Sequence, residues 1–481
     1  MTGRSSIAEG WASPLPMRQD VLAESKSMIR LALPLVVTNV AQIALTTTSL
    51  AMVGRLGADQ LAAAALAITL YTTLMLFCLG ILTATMPMLA QALSRGEMGA
   101  GQIRSIVAQG FWSALFLCVP IWLLLWNSES LLILLGQPPA LAAQASGMMH
   151  WLQWSLLPYL AYLVCRSFLA TIERPGWTLV VVGVALIVNL TVGSSLIFGY
   201  FGPAYGLRGA AMGLLVSNCC MLAGMLLLLS FHKDFKRYEL VSRVPRPDRA
   251  LLGKMWRLGL PMGITIGLES SIFYAAANMM GIIGPASLAA HAAVTQITAL
   301  FFMVPIGVGQ AATIRVGLAF GAGRIAALKR AGWVAYALGA GVMIIYAAAI
   351  LCAPVLFLSA FLDVSADRNA AAFAVAQQLL VIAAFFAVAD GIQVVCIGML
   401  RGLHDSKVPM YIALIGYWGL ALPLGAVLAF HYQLAGVGVW IGLAVGLTLV
   451  AILVTYRWIT MTRRLIEGPK GSFASATAVD G

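Results

Sequence analysis

The chain has 481 residues and seventeen acidic side chains, fifteen of which fall in tails, loops or helix ends. Glu269 and Asp390 do not. Glu269 stands in "GLESSIFYAAANMMGII" (267–283) and Asp390 in "FFAVADGIQVVCIGML" (385–400), stretches that are otherwise mostly apolar or small and hold no lysine or arginine. A carboxylate at bilayer depth costs about 2.5 to 3.5 kcal/mol on insertion scales, so two in one half of the chain need a compensating partner. A shared proton or cation site provides one. Burial favours the protonated acid, and a second carboxyl nearby favours it further; alternatively, the oxygens join carbonyls and hydroxyls around a hard cation such as Na⁺, the metal expected at Glu269 and Asp390 in that case. The competing reading is a protonated or hydrogen-bonded packing residue, which fixes helix contacts at roughly 0.6 to 2 kcal/mol.

Polar neighbours are few. Gln393, three residues past Asp390, shares its helical face and is the preferred helper. Thr295, Gln296 and Thr298 can add oxygens from the next apolar block, although packing accounts for them equally well. Asn278 follows Glu269 by nine residues, which puts it near the opposite face and about 13 Å along the axis. His291 reads as a satisfied or interfacial histidine. In the first half, Asn39, Gln42 and Thr46 share one face by their three- and four-residue spacing, and Asn189 is another isolated amide. None of these ionises, so they serve as cavity lining or as helix glue.

The elements that must position these groups are membrane helices. Hydrophobic residues make up 61% of the chain and charged ones 10%, in long blocks without a recurrent polar face, which is the signature of an all-α integral membrane protein. Twelve spans are predicted between residues 28 and 459. The seven cysteines sit inside apolar blocks, lack the spacing of a disulfide framework or zinc site, and read as inert core residues. Residues 1–27 contain no apolar signal region, so the first span is expected to remain. The formal charge is +12, but the basic residues lie between apolar blocks and are not clustered with stacking aromatics, which excludes nucleic acid as a partner. With the N-terminus cytoplasmic, one side carries 26 of the 29 basic residues, leaving Arg55, Arg208 and Arg368 on the other. The positive-inside rule therefore places both termini in the cytoplasm.

The predicted organisation is a cytoplasmic N-terminal segment (1–27), a six-helix lobe (28–231), a basic cytoplasmic linker (232–255) suited to anionic lipid headgroups, a second six-helix lobe (256–460) and a disordered tail (461–481). The lobes repeat. A shift of 227 residues lays "LGADQLAAAALA" (56–67) on "IGPASLAAHAAV" (283–294), and it pairs Pro34 with Pro261, Gly80 with Gly307 and Gln42 with Glu269. An even number of spans per copy makes the repeat parallel, an arrangement that suits two bundles rocking about a midplane site.

"GQAATIRVGLAFGAG" (309–323), "GMLRGLHDSKVPM" (398–410) and "LGADQLAAAALA" together resemble the multidrug and toxic compound extrusion (MATE) family of bacterial type, from about residue 28 to 460. The resemblance implies two six-helix lobes and a cation site formed by the glutamate of the seventh helix and the aspartate of the tenth, the places of Glu269 and Asp390. It also implies antiport, in which inward Na⁺ or H⁺ drives export of organic, often cationic and amphipathic compounds across the bacterial inner membrane, without enzyme activity or cofactor and with no obligate protein partner expected. Many bacterial relatives carry an aspartate in the first helix, where this chain has Thr47, Thr48 and Ser49, so coupling is expected to rest on the C-terminal pair. Two rivals stand beside this reading. A flippase for a lipid-linked precursor would need cationic residues in its cavity, and no lysine or arginine is expected at a membrane-embedded position. An integral-membrane enzyme would need clustered catalytic residues, and the five histidines are scattered. Arg401 and Asp405 are expected to form an ordinary helix-end ion pair, and Arg315 to be a positive-inside anchor.

Overall fold

Inside a bilayer every backbone N–H and C=O must be satisfied within its own segment, and the apolar blocks accordingly form helices. The computed structural model describes residues 17–95, 99–200, 202–240, 245–360 and 370–467. Among the described residues there is no strand, and twelve long helical runs follow one another: α1 (Met17–Gly54), α2 (Ala58–Ser94), α3 (Gly99–Trp126), α4 (Pro139–Leu152 and Leu156–Thr171), α5 (Gly176–Phe198), α6 (Gly206–Phe231), α7 (Arg249–Ile283), α8 (Pro285–Gly321), α9 (Ile325–Cys352), α10 (Ala370–Gly402), α11 (Lys407–His431) and α12 (Ala435–Glu467). Eleven of them are unbroken enough to count singly as membrane spans. The exception, α4, is interrupted by a 3₁₀ turn at Gln153–Ser155. Pro158 has no N–H to offer the Trp154 carbonyl, and the Gln153 carbonyl accepts instead from the Trp122 indole at 2.9 Å.

The helices extend past several predicted limits. α1 begins at Met17, inside the segment expected to precede the membrane, and α12 continues to Glu467, inside the expected tail; residues 1–16 and 468–481 lie outside the described residues. α7 starts at Arg249, where the Asp248 carboxylate caps the amides of Ala250 and Leu251. The linker before it is pinned to α3, with the Trp112 indole donating to the Pro245 carbonyl at 3.0 Å and the Gln109 amide to that of Arg246 at 3.3 Å. Two cysteines depart from the expected inert core: Cys219 and Cys352 are exposed, because they lie on outward faces of α6 and α9.

The repeat is visible atom by atom. In α1 the Thr38 hydroxyl donates to the Pro34 carbonyl at 2.7 Å, and in α7 Thr265 donates to Pro261 at 2.8 Å. Gly57 and Gly284, each just before the second helix of its half, adopt φ 127° and 148°. Each half also brings two helices to near contact. A Cβ on Gly80 of α2 would fall on the Gly263 backbone of α7, and one on Gly307 of α8 would fall on Val36 of α1; 227 residues separate both Gly80 from Gly307 and Val36 from Gly263.

Two apolar cores result, and their membership crosses the predicted lobe boundary. Met28, Leu31 and Leu35 of α1 belong to the core built by α8, α9, α10 and α12. Their equivalents Met255, Leu258 and Met262 of α7 belong to the core built by α2 to α6. The first halves of α1 and α7 are thus exchanged between bundles, which ties the lobes together on the face bearing the linker.

Candidate functional site

Glu269 and Asp390 both lie in the C-terminal half, on α7 and α10, close enough for their charges to interact. Asp390 is buried and Glu269 partly so, and neither takes a hydrogen bond from the described residues. Gln393 stands one turn from Asp390 and is wholly buried, with neither its amide nitrogen nor its carbonyl oxygen partnered. Tyr417 faces the same place from α11. It feels both carboxylates and turns toward Gln393, yet its hydroxyl completes no hydrogen bond of good geometry. Two acids, a hydroxyl and an amide, all under-satisfied at one spot among three helices, form an oxygen-rich pocket of the kind that holds a proton or a small hard cation. Tyr417 sits on a stretch of π-helix, Leu414–Ala421, a distortion that often accompanies functional side chains. Sequence reasoning missed Tyr417 because an aromatic residue in an apolar helix carries no mark of what it faces.

The other expected helpers fall elsewhere. Asn278 and Gln296 are exposed. Thr295 keeps a buried hydroxyl without a partner, and Thr298 donates to the carbonyls of Val294 and Thr295 in its own helix. His291 is buried and its Nδ1 accepts from the Trp440 indole at 3.2 Å, as a satisfied core histidine does.

The first half holds a group of opposite sign. Arg166 of α4 is buried, and its guanidinium donates to Asn39 and Gln42 of α1 and to Gln310 of α8. The Gln42 amide in turn donates to the Tyr162 hydroxyl at 3.2 Å. The acceptors are neutral amide oxygens; they solvate the cation without cancelling its charge. This corrects the expectation that no arginine is embedded in the membrane: Arg166 lies inside the predicted span, and its residue type alone was the available signal. Thr46 bonds only to backbone carbonyls of α1. Asn189, at the start of a π-turn in α5, is fully enclosed by Leu45, Thr48, Ser49 and Ser217 and acts as packing glue.

On the linker face, further expectations change. Asp405 pairs with Arg457 of α12 at 2.7 Å, and Arg401 directs its field toward Glu269. Arg315 is no exposed anchor. It is buried in α8 and bridges Glu24 of α1 at 2.7 Å and Glu173, in the turn after α4, at 2.6 Å. A guanidinium presents a planar fork of donors and can hold two carboxylates at once.

Comparison with known proteins agrees with this architecture. The MatE family model matches residues 34–194 and again 261–427, two segments whose starts are 227 residues apart. "Probable multidrug resistance protein NorM" of Brucella suis is 48% identical over 431 residues, covering 89% of this chain and 92% of that one. The protein of the same description from Mesorhizobium japonicum is 45% identical, over 92% of this chain and 94% of its own. Among solved structures, the eukaryotic MATE transporter AtDTX14 superposes with a TM-score of 0.82 at 22% identity over 93% of this chain and 99% of that one; a MATE in the bent conformation gives 0.83 at 18% identity, covering 93% and 98%. With both repeats matched and near-full-length relatives sharing close to half of its residues, the chain belongs to the MatE family of membrane transporters.

Proposed function

We propose that this chain is a secondary antiporter of the bacterial inner membrane, with its linker and both termini in the cytoplasm, that exports organic and chiefly cationic amphipathic compounds in exchange for Na⁺ or H⁺. The relatives' description as probable multidrug resistance proteins supports the export reading. The observation that carries the coupling reading is the pairing of Glu269 with Asp390 beside the unpartnered Gln393 and Tyr417. Two ionised carboxyls repel strongly where the dielectric is low. A proton or Na⁺ arriving there relieves that repulsion, draws α7, α10 and α11 together, and alters the lobe arrangement that binds substrate. One elementary charge moving across 100 mV supplies about 2.3 kcal/mol, to which the chemical gradient adds.

The test is efflux of a fluorescent organic cation in everted vesicles under separately imposed Na⁺ and pH gradients, comparing the wild type with Glu269→Gln and Asp390→Asn. Coupling at this site requires both variants to insert normally and to lose gradient-driven transport. Full-rate pumping by either variant under the gradient that drives the wild type would refute it. The flippase reading gains nothing from Arg166, whose terminal nitrogens are already taken up by amide oxygens.

A further inference from the structure

On the linker face, the repeat places two equivalent corners that are filled differently. At one, Glu24 and Glu173 close on Arg315. The 227-residue shift carries Arg315 to Met88 and Glu24 to Leu251. Glu173 in the turn after α4 has its counterpart in His404 in the turn after α10, both non-glycine residues with positive φ, 58° and 60°. Met88, Leu251 and His404 meet at the second corner, and there they border a half-open cavity of about 30 Å³. Its polar lining consists of Gln91, Arg95 and Gln102 from the N-terminal half, Lys254 at the start of α7, and His404. Two cations and an imidazole therefore surround a space for which the described residues supply no carboxylate. Asp405, the next residue in sequence, is engaged by Arg457.

The imidazole narrows the ligand. One ring nitrogen turns toward the Pro87 carbonyl, while Nε2 is enclosed without a partner. A ring that donates through Nδ1 presents a bare lone pair at Nε2, which seeks a hydrogen-bond donor. The ligand must therefore be anionic toward Arg95 and Lys254 and must carry an acidic O–H for His404. A carboxylate, a sulfate or a phosphodiester meets the first demand only. A phosphate monoester, or inorganic phosphate, in its singly protonated or monoanionic form meets both, since its second ionisation lies near neutral pH. The cavity admits a phosphate tip, with the remainder outside.

We propose that the corner formed by Arg95, Lys254 and His404 binds a phosphate monoester group, presented by a phosphatidic acid headgroup or by phosphate in solution. The bound group bridges α2 to the α10–α11 turn and to α7, performing across this corner the task that Glu24 and Glu173 perform across the other, and so it favours the state in which the linker face is closed.

The full chain in phosphatidylcholine nanodiscs tests this by thermal unfolding in four series: added inorganic phosphate, added sulfate, phosphatidic acid replacing part of the lipid, and phosphatidylglycerol replacing the same part. A ligand that binds the folded state alone raises Tm saturably. A rise with phosphate but not sulfate identifies the soluble source, and a rise with phosphatidic acid well above that with phosphatidylglycerol identifies the lipid. In either case the Arg95→Gln/Lys254→Gln double variant and His404→Asn should each shift half-saturation by about tenfold or more, the value of a charge-assisted hydrogen bond; asparagine tolerates the positive φ. The proposal fails if the phosphate and sulfate responses are equal and the two lipid responses are also equal, if nothing stabilises the protein, or if the variants respond as the wild type does. Substituting the exposed Arg95 and Lys254 leaves packing intact, so loss of response in the double variant does not reflect misfolding.

Discussion

Replacing Gly80 by alanine should unlatch the linker face, and the size of the effect follows from what the new methyl meets. Besides falling on the Gly263 Cα, a Cβ at Gly80 would stand 2.7 Å from the Gly263 nitrogen and 3.1 Å from the Met262 carbonyl carbon. Carbon atoms rest about 3.5 to 4.0 Å apart, so α2 and α7 must separate by about 1 Å, and both obstacles are backbone with no rotamer to yield. Overpacking of this kind costs about 1 to 3 kcal/mol. Where the lobes exchange between closed and open at this face, that energy changes the ratio of states by roughly five- to 150-fold. The equivalent Gly307 offers a control, because its first obstacle is the Val36 side chain, and Val36→Ala removes it. The assay is the rate at which an impermeant maleimide labels a single cysteine placed at Ser94, which abuts Gly321 of α8, in everted vesicles and an otherwise cysteine-free background. Gly80→Ala should speed labelling by a factor within that range, and Gly307→Ala with Val36→Ala should leave it near the parent rate. Unchanged labelling in Gly80→Ala, with the protein inserted normally, would refute the claim that this glycine contact holds the face shut.

Three other outcomes follow from the same geometry. Arg315→Met leaves Glu24, 4% exposed, buried without its guanidinium, a loss that typically costs about 3 to 5 kcal/mol; Tm in detergent should fall sharply, and adding Glu24→Leu should restore most of it. Burial, opposed by the Pro87 carbonyl and reinforced by Lys254 and Arg95, pushes the His404 imidazole from 6.5 down to about 4. The folded state then binds fewer protons than the unfolded one between these values, so stability is complete above pH 6.5 and falls as pH drops toward 4, by about 1.4 kcal/mol per pH unit at most; His404→Asn should flatten that part of a Tm–pH profile, and a wild-type profile already flat there would contradict it. Arg166→Leu strips the amide oxygens of Asn39, Gln42 and Gln310 of their shared donor, at about 1 to 3 kcal/mol for each group left unsatisfied. Thermal unfolding should show a large loss, and Arg166→Lys, which cannot span three acceptors, should fall between.

The spans were legible in the sequence because lipid allows a single solution to the backbone problem and marks it with long apolar runs. The duplication was legible because residues such as Pro34 and Pro261 recur at one spacing. Glu269 and Asp390 could be singled out because an ionisable group in such a run is rare. What surrounds them could not be. Tyr417 differs from other aromatic residues only in the three-dimensional direction of its hydroxyl, and Asn278 and Gln296 looked equally suitable until the helices were packed. Arg315 misled because positive charge near a helix end satisfies the positive-inside pattern whether or not the side chain is buried in an ion triad. The exchange of helix halves between the cores left no trace in hydropathy, since Met28 and Met255 are buried in either arrangement.

That exchange gives the proposed coupling a physical route. α7 is a single helix from Arg249 to Ile283, and its two ends answer to different bundles. Met255, Leu258 and Met262 are fixed in the N-terminal core, whereas Ile272, Ala276 and Met280 are fixed in the C-terminal one. Glu269 lies between these sets, two turns beyond Pro261, where the missing N–H weakens the helical ladder and permits a bend. A proton or Na⁺ that changes the attraction of Glu269 for α10 and α11 therefore pulls on a rod whose far end is embedded in the opposite lobe. α1, bending at Pro34, is the corresponding rod in the other direction, but Gln42 stands where α7 has its acid, and Gln42 is held by Arg166 and Tyr162. On the proposed reading, one rod carries the ion signal and its counterpart serves as the hinge, and the asymmetry lies in a single pair of residues at equivalent positions.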